Sequence, residues 1–191
     1  MTKITISPEL NGKMRQYKRI LLSYADFKHA KRASSYILDS QLHQKCAEEG
    51  YLILEAMNCS MIVAYCRPFS GNQSNAAGGI PDLPNRLLRV LDPAERAIHD
   101  VVMHDRNKVL AHSDDEVLQV EPVIWQITGR DMVMPIKNWG LAPLTKDATI
   151  LFRSAAEKLF IATIEERQRA EPELAPYFRV ADLENPFKPT D

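Results

Sequence analysis

Glycine is scarce in this chain of 191 residues, which has only seven, and its twelve prolines gather in a few places. So few flexible positions argue against an all-β fold, which needs many turns, and favour long helices with definite breaks. Cysteine is sparse too. Three thiols cannot close into a full set of disulfides, and Cys59 and Cys66 lie in an apolar stretch where a free thiol behaves as a small hydrophobe. That usage fits a reducing compartment, so the expected location is the cytoplasm. Long hydrophobic runs are missing as well. The longest, Met61 to Tyr65, falls far short of the ~18 apolar residues of a membrane span, and residues 1–8 hold no apolar core of signal-peptide length. No membrane association is expected.

What is present suits a globular domain. Hydrophobic residues make up 45% and charged residues 26%, ordinary values that exclude wholesale disorder. A single core can organise a chain of this length. The expected division is one helical domain over residues 1–170, followed by an extended tail over 171–191 that carries Pro172, Pro176, Pro186 and Pro189. The net charge of −1 conceals an uneven distribution: residues 1–45 hold nine Lys/Arg against three acids. Lys13, Arg15, Lys18 and Arg19 could therefore form a phosphate-facing surface, or a solvated helix face that pairs with the acidic C-terminal part.

Local patterns place the elements. Ser7-Pro8-Glu9 is a helix start, with Ser as N-cap and Pro at the first helical position. Leu10, Met14, Tyr17, Leu21, Tyr24, Phe27, Ala30, Ile37 and Leu38 continue as one apolar stripe, with a break near Asp39-Ser40. A second helix is expected from Leu42 to Arg67, and its apolar half from Tyr51 to Tyr65 reads as the central helix of a bundle. Residues 68–84 read as a long loop, and Asn85 to Leu91 as a short helix. Asp92-Pro93-Ala94-Glu95 has the pattern of a capping box. Ala94, Ala97, Ile98, Val101, Val102, Val109 and Leu110 are the expected buried stripe of that helix, which should end about His112. Val123, Trp125 and Ile127, separated by Thr128-Gly129 from Met132-Val133-Met134, predict a short β-hairpin insertion near 117–136. Thr145 caps a last helix from Lys146 to about Arg169, with Ile150, Leu151, Ala155, Leu159, Ile161 and Ile164 as core. The fold class is thus mainly α: a bundle of four to six helices with a hairpin.

Polar chemistry is concentrated in His104-Asp105-Arg106-Asn107-Lys108-Val109-Leu110-Ala111-His112. Arg106-Asn107, followed after four residues by His112 at a helix end, resembles the signature of the HEPN superfamily, in particular its abortive-infection and toxin-type helical domains. The resemblance covers seven residues, and the helical order of residues 8–169 is compatible with it. It implies a HEPN-like bundle that dimerises so that two motifs share a cleft, and that binds or cleaves RNA without metal. It also implies a role in phage defence or a toxin–antitoxin system, with an antitoxin or other protein as partner. Asp114 stands where some toxin members carry Tyr, so that subgroup is not indicated.

The residues themselves make the chemistry intelligible. Cleavage by a neighbouring 2′-hydroxyl needs a base and an acid, and an imidazole with pKa near ~6.5 serves as either. A forked, permanent guanidinium suits the charge that builds on the phosphoryl oxygens. His112 and Arg106 are then the catalytic candidates, Asn107 would orient the phosphate or hold its neighbour in place, and Lys108 would join Lys13, Arg15, Lys18 and Arg19 in binding RNA. On an ideal helix Arg106 and His112 lie about 120° apart and ~9 Å along the axis, so they converge only where the helix ends or where a second chain supplies the partner. A second reading stays open. Arg106, Lys108 and His112 also suit the negative end of a helix dipole, which would make the motif structural and the protein a non-catalytic interaction or regulatory bundle. Asp114, Asp115 and Glu116 oppose the approach of RNA. Glu95 with His99, and His104 with His112, are spaced to share a helix face, but no zinc motif accompanies them, so no metal or other cofactor is expected. Gly78-Gly79 lacks the Lys-Ser/Thr of a phosphate loop, and Trp125 and Trp139 read as packing residues.

Overall fold

The computed structural model describes residues 7–45, 47–70, 79–107, 121–127, 129–136 and 142–178, leaving aside the side chains at 127, 135 and 136. Four α-helices, several 3-10 turns and one hairpin make up these residues: α1 (Pro8–Asp39), α2 (Glu48–Cys66), α3 (Pro93–Asp105), β1 (Glu121–Ile127), β2 (Arg130–Ile136) and α4 (Lys146–Leu174). The protein is mainly helical, a bundle with a small antiparallel hairpin, as its patterning requires. None of its described helices is long and apolar enough to cross a membrane.

The helix starts form as their sequences dictate. Ser7 Oγ accepts the N–H of Leu10 at 3.2 Å and Thr145 Oγ1 accepts that of Ala148 at 3.3 Å, satisfying donors that a helix leaves orphaned. The second helix begins later than its apolar run suggests. Gln41 takes a left-handed backbone with φ of 51°, a 3-10 turn follows over Leu42–Gln44, and α2 starts only at Glu48. The last helix runs past Arg169 to Leu174 with Pro172 inside it, so the expected tail does not begin at residue 171. Pro172 lies close enough to the end that few helical bonds are lost.

Helix α1, the longest at 32 residues, holds the centre and packs against both α2 and α4; α3 lies mainly on α4. The expectation of α2 as central helix therefore fails: Tyr51 and Leu52 are exposed, and its buried side chains, Leu54, Asn58, Met61, Ile62, Ala64, Tyr65 and Cys66, form one face that fills in towards the C-terminal end. Small buried residues on both long helices, among them Ala30 and Ala33 on α1 and Ala155, Ala156 and Ala162 on α4, let backbones approach closely. An aromatic knot ties every helix. Tyr65 of α2 lies 5.7 Å from Phe27 of α1 and 4.9 Å from Phe152 of α4, and Phe69 lies 4.9 Å edge-on from His99 of α3. Burying Phe27 and Phe152 completely contributes about 1.5–3 kcal/mol each.

The hairpin pairs Glu121 with Ile136 through Ile127 with Arg130, and Gly129 turns the chain at φ of 77°, where a Cβ would be strained. Ile124, Trp125, Met132, Val133 and Met134 are all exposed.

Candidate functional site

Helix α3 carries the candidate site at its C-terminal end, and its N-terminal end is anchored first. Asp92 Oδ1 accepts the Glu95 N–H and Glu95 Oε2 accepts the Asp92 N–H, both at 2.9 Å, closing the capping box. Glu95 is also buried against α4, where its Oε1 accepts from Ser154 at 2.7 Å and its Oε2 from Lys158 Nζ at 2.7 Å. Burial alone would raise the Glu95 carboxyl, but the hydrogen bonds from Lys158, Ser154 and Asp92 together hold it below the ordinary carboxylate range. One turn on, His99 is buried between Tyr65 and Phe69, its Nδ1 3.2 Å from the Tyr65 hydroxyl. Burial, helped by the Arg96 charge and opposed by Asp100, lowers the His99 pKa and keeps the ring neutral.

The buried face of α3 is therefore Glu95, His99 and Val102, with Ile98 and Met103 half-buried, whereas Ala94, Ala97 and Val101 face solvent. The expected stripe was displaced because two of its buried members are ionisable. Cross-helix hydrogen bonds make that burial tolerable, and nothing local in the sequence announces partners on α4 or α2. The metal pairing of Glu95 with His99 is likewise taken up by these partners, and the described residues hold no cluster of three or more His, Cys, Asp or Glu suited to a metal ion.

At the other end, Arg106 and Asn107 leave α3 in a widened π-type turn. The Arg106 N–H still reaches the carbonyls of Val102 and Met103. Its guanidinium Nη1 donates to Asn107 Oδ1 at 2.9 Å, with Arg106 half-buried and Asn107 exposed. Below it, the Cys66 thiol donates to the Val102 carbonyl at 3.5 Å; burial pushes that thiol up to about 12 against the nearby charge of Arg106, which leaves it unreactive. Burial also raises the Asp105 carboxyl. Arg106 and Asn107 are thus brought together, whereas Lys108 and His112 lie outside the described residues.

The basic N-terminal residues have mixed fates. Arg19 is buried, its Nε donating to the Pro81 carbonyl at 2.6 Å, and Arg15 Nε donates to the Gly79 carbonyl at 2.8 Å. These two departures from the expected phosphate-facing surface have one cause: the returning segment 79–82 brings carbonyls that need donors. Lys13 pairs with Glu173 at 2.6 Å and Lys31 with Glu157 at 2.5 Å, so cations of α1 meet acids of α4. Lys18 is exposed. Compared with protein-family models, with curated proteins and with solved structures, the chain matches none of them.

Proposed function

We propose that the chain is a HEPN-like RNA-binding protein and metal-independent endoribonuclease, cytoplasmic and homodimeric, with Arg106, Asn107 and His112 as its catalytic groups. One observation carries the reading: the guanidinium of half-buried Arg106 donates to Oδ1 of exposed Asn107 at the end of α3, which orients a fork of donors beside an exposed amide. In this chemistry an imidazole takes the proton of the RNA 2′-hydroxyl as that oxygen attacks phosphorus. An acid returns a proton to the departing 5′-oxygen, and the guanidinium stabilises the phosphoryl oxygens in between. The products are a 2′,3′-cyclic phosphate and a free 5′-hydroxyl. Lys108 and the exposed Lys18 are the cations best suited to backbone contact, because Arg15 and Arg19 are occupied within the chain. A role in phage defence or as one half of a toxin–antitoxin pair belongs to the same proposal.

The test is RNA cleavage by wild type and variants in the presence of EDTA. His112→Ala and Arg106→Ala are each expected to lower the rate by roughly 10²–10⁴-fold while products retain a cyclic phosphate. A wild type that cuts no RNA, or one silenced by chelator, would refute the reading. The exposed apolar hairpin favours the alternative of a non-catalytic interaction protein, in which Arg106 merely terminates α3.

A further inference from the structure

The hairpin presents an apolar surface with an ordered arrangement of charge. In an antiparallel pair, residues opposite one another share a face, and faces alternate along each strand. The register therefore puts Glu121, Val123 and Trp125 of β1 on one face with Arg130, Met132 and Met134 of β2. Trp125, Met132 and Met134 are 51%, 46% and 41% exposed, and Glu121 and Arg130 are exposed as well. Read from the open end to the turn, this face runs acid, apolar middle, base.

Such a face is complementary to itself when turned end for end. We propose that a second copy of this chain packs its hairpin on this one, face to face and with its turn over the first copy's open end. Trp125 then lies over Val123 of the second copy and Met132 over Met134, across the ~10 Å that separates stacked sheets. At each end Glu121 comes within reach of Arg130 of the second copy, and the twofold makes both ends equivalent. Packing turn over turn would oppose like charges instead. The other face cannot do the same: Gln126 and Asp131 lie near its turn, while Pro122 and Pro135 occupy its open end and offer no cation. Edge-to-edge strand addition is also disfavoured there, since two opposed prolines have no N–H to donate to each other or outward.

The contact is small. Seven-residue strands give a face roughly 20 Å long and two strands wide, well below the ~1,000 Å² of a stable interface, so the association is weak and visible only at high concentration. It stands apart from the Arg106 reading and does not depend on catalysis.

Sedimentation equilibrium of the full chain, from micromolar to millimolar concentration, tests it. The wild type is expected to gain mass with concentration through this contact, whether the unit that associates is one chain or the dimer proposed above. Glu121→Arg and Arg130→Glu should each weaken association about tenfold, because each single variant carries like charges at the two ends that must meet. An equimolar mixture of the two variants should recover wild-type association, as should the double swap E121R/R130E. Trp125→Lys should abolish it, with the helical circular dichroism unchanged in every case because these residues lie outside the helical core. A wild type whose mass does not rise over that range overturns the proposal. So does a concentration-dependent rise indifferent to these substitutions, and so does a loss that mixing fails to rescue.

Discussion

The two ends of α3 use polar residues in opposite ways. At the N-terminal end Asp92, Glu95, Ser154 and Lys158 close upon one another, and a buried carboxylate has every oxygen engaged. At the C-terminal end the half-buried Arg106 has, among the described residues, its neighbour Asn107 as side-chain hydrogen-bond partner, at a widened turn. A satisfied network fixes how one helix sits on another. A fork bonded to its own neighbour does not. Thirteen residues of α3 thus join a lock to an open hand, and substitutions at its two ends should behave differently.

The largest effect on stability should come from the lock. Glu95→Ala strips the cap of its reciprocal bond and leaves the Ser154 hydroxyl without its acceptor, which costs about 2 kcal/mol and lowers the melting temperature by several degrees. Lys158, near the surface, can turn to solvent, so the ion pair itself adds little. Glu95→Gln keeps one acceptor oxygen, for the Asp92 N–H, and presents its NH2 to the Ser154 hydroxyl, which can turn to accept, so it should fall between wild type and Glu95→Ala. If Glu95→Ala melts like wild type, the lock is not what seats α3 on α4.

A smaller effect depends on pH. The folded state lowers the pKa of His99 below its usual value of 6.5, so the unfolded chain binds a proton there more readily. Stability from this group is complete above about pH 6.5 and falls as the pH drops through 6.5 towards the folded value. Asp92 and Glu95 are both held low, so their contribution is lost only further down, as carboxylates protonate. Urea unfolding at pH 7.5 and at pH 5.5 should therefore show a slope that His99→Phe flattens. A slope equally steep in that variant would place its origin elsewhere.

The smallest effect belongs to the open end. Arg106→Ala should change stability by no more than about 0.5 kcal/mol, since among the described residues the guanidinium bonds the exposed neighbour Asn107. Chemical denaturation showing a loss as large as that of Glu95→Ala would make both ends structural, and would turn the Arg106 motif into a helix terminator.

Caps and breaks were legible in the sequence because they are local. The Ser7, Asp92 and Thr145 starts each need only a side chain and an N–H three residues away, and the hairpin needs only alternation and Gly129. Faces were less legible. In α1 the alternating stripe includes Leu21, which is 41% exposed, while Ile20 beside it is 4% exposed. The stripe is right again at Phe27, Ala30 and Ile37, so the miss is a single position where two adjacent apolar residues compete and the one that faces the core is not marked by its type. Arg19 and Glu95 escaped for another reason. Their burial depends on partners about sixty residues away, on the segment 79–82 and on α4, which no window of sequence contains. Of the candidate site, adjacent Arg106 and Asn107 pair as their positions allow, and His112 and Lys108 lie outside the described residues.

One bond outside α3 has a consequence for how such a chain can be rewritten. The Leu83 N–H donates to the Pro68 carbonyl at 2.8 Å, and Arg15 and Arg19 hold the carbonyls of residues 79 and 81 against α1. The two ends of the excursion between α2 and α3 are thereby stitched to each other and to the bundle. Once ends are stitched, lengthening the chain between them adds only a slowly growing loop-closure term, about 0.6 kcal/mol per doubling. Length added between these two anchored ends should therefore cost the bundle little stability, because the bonds that hold the ends lie on either side of it.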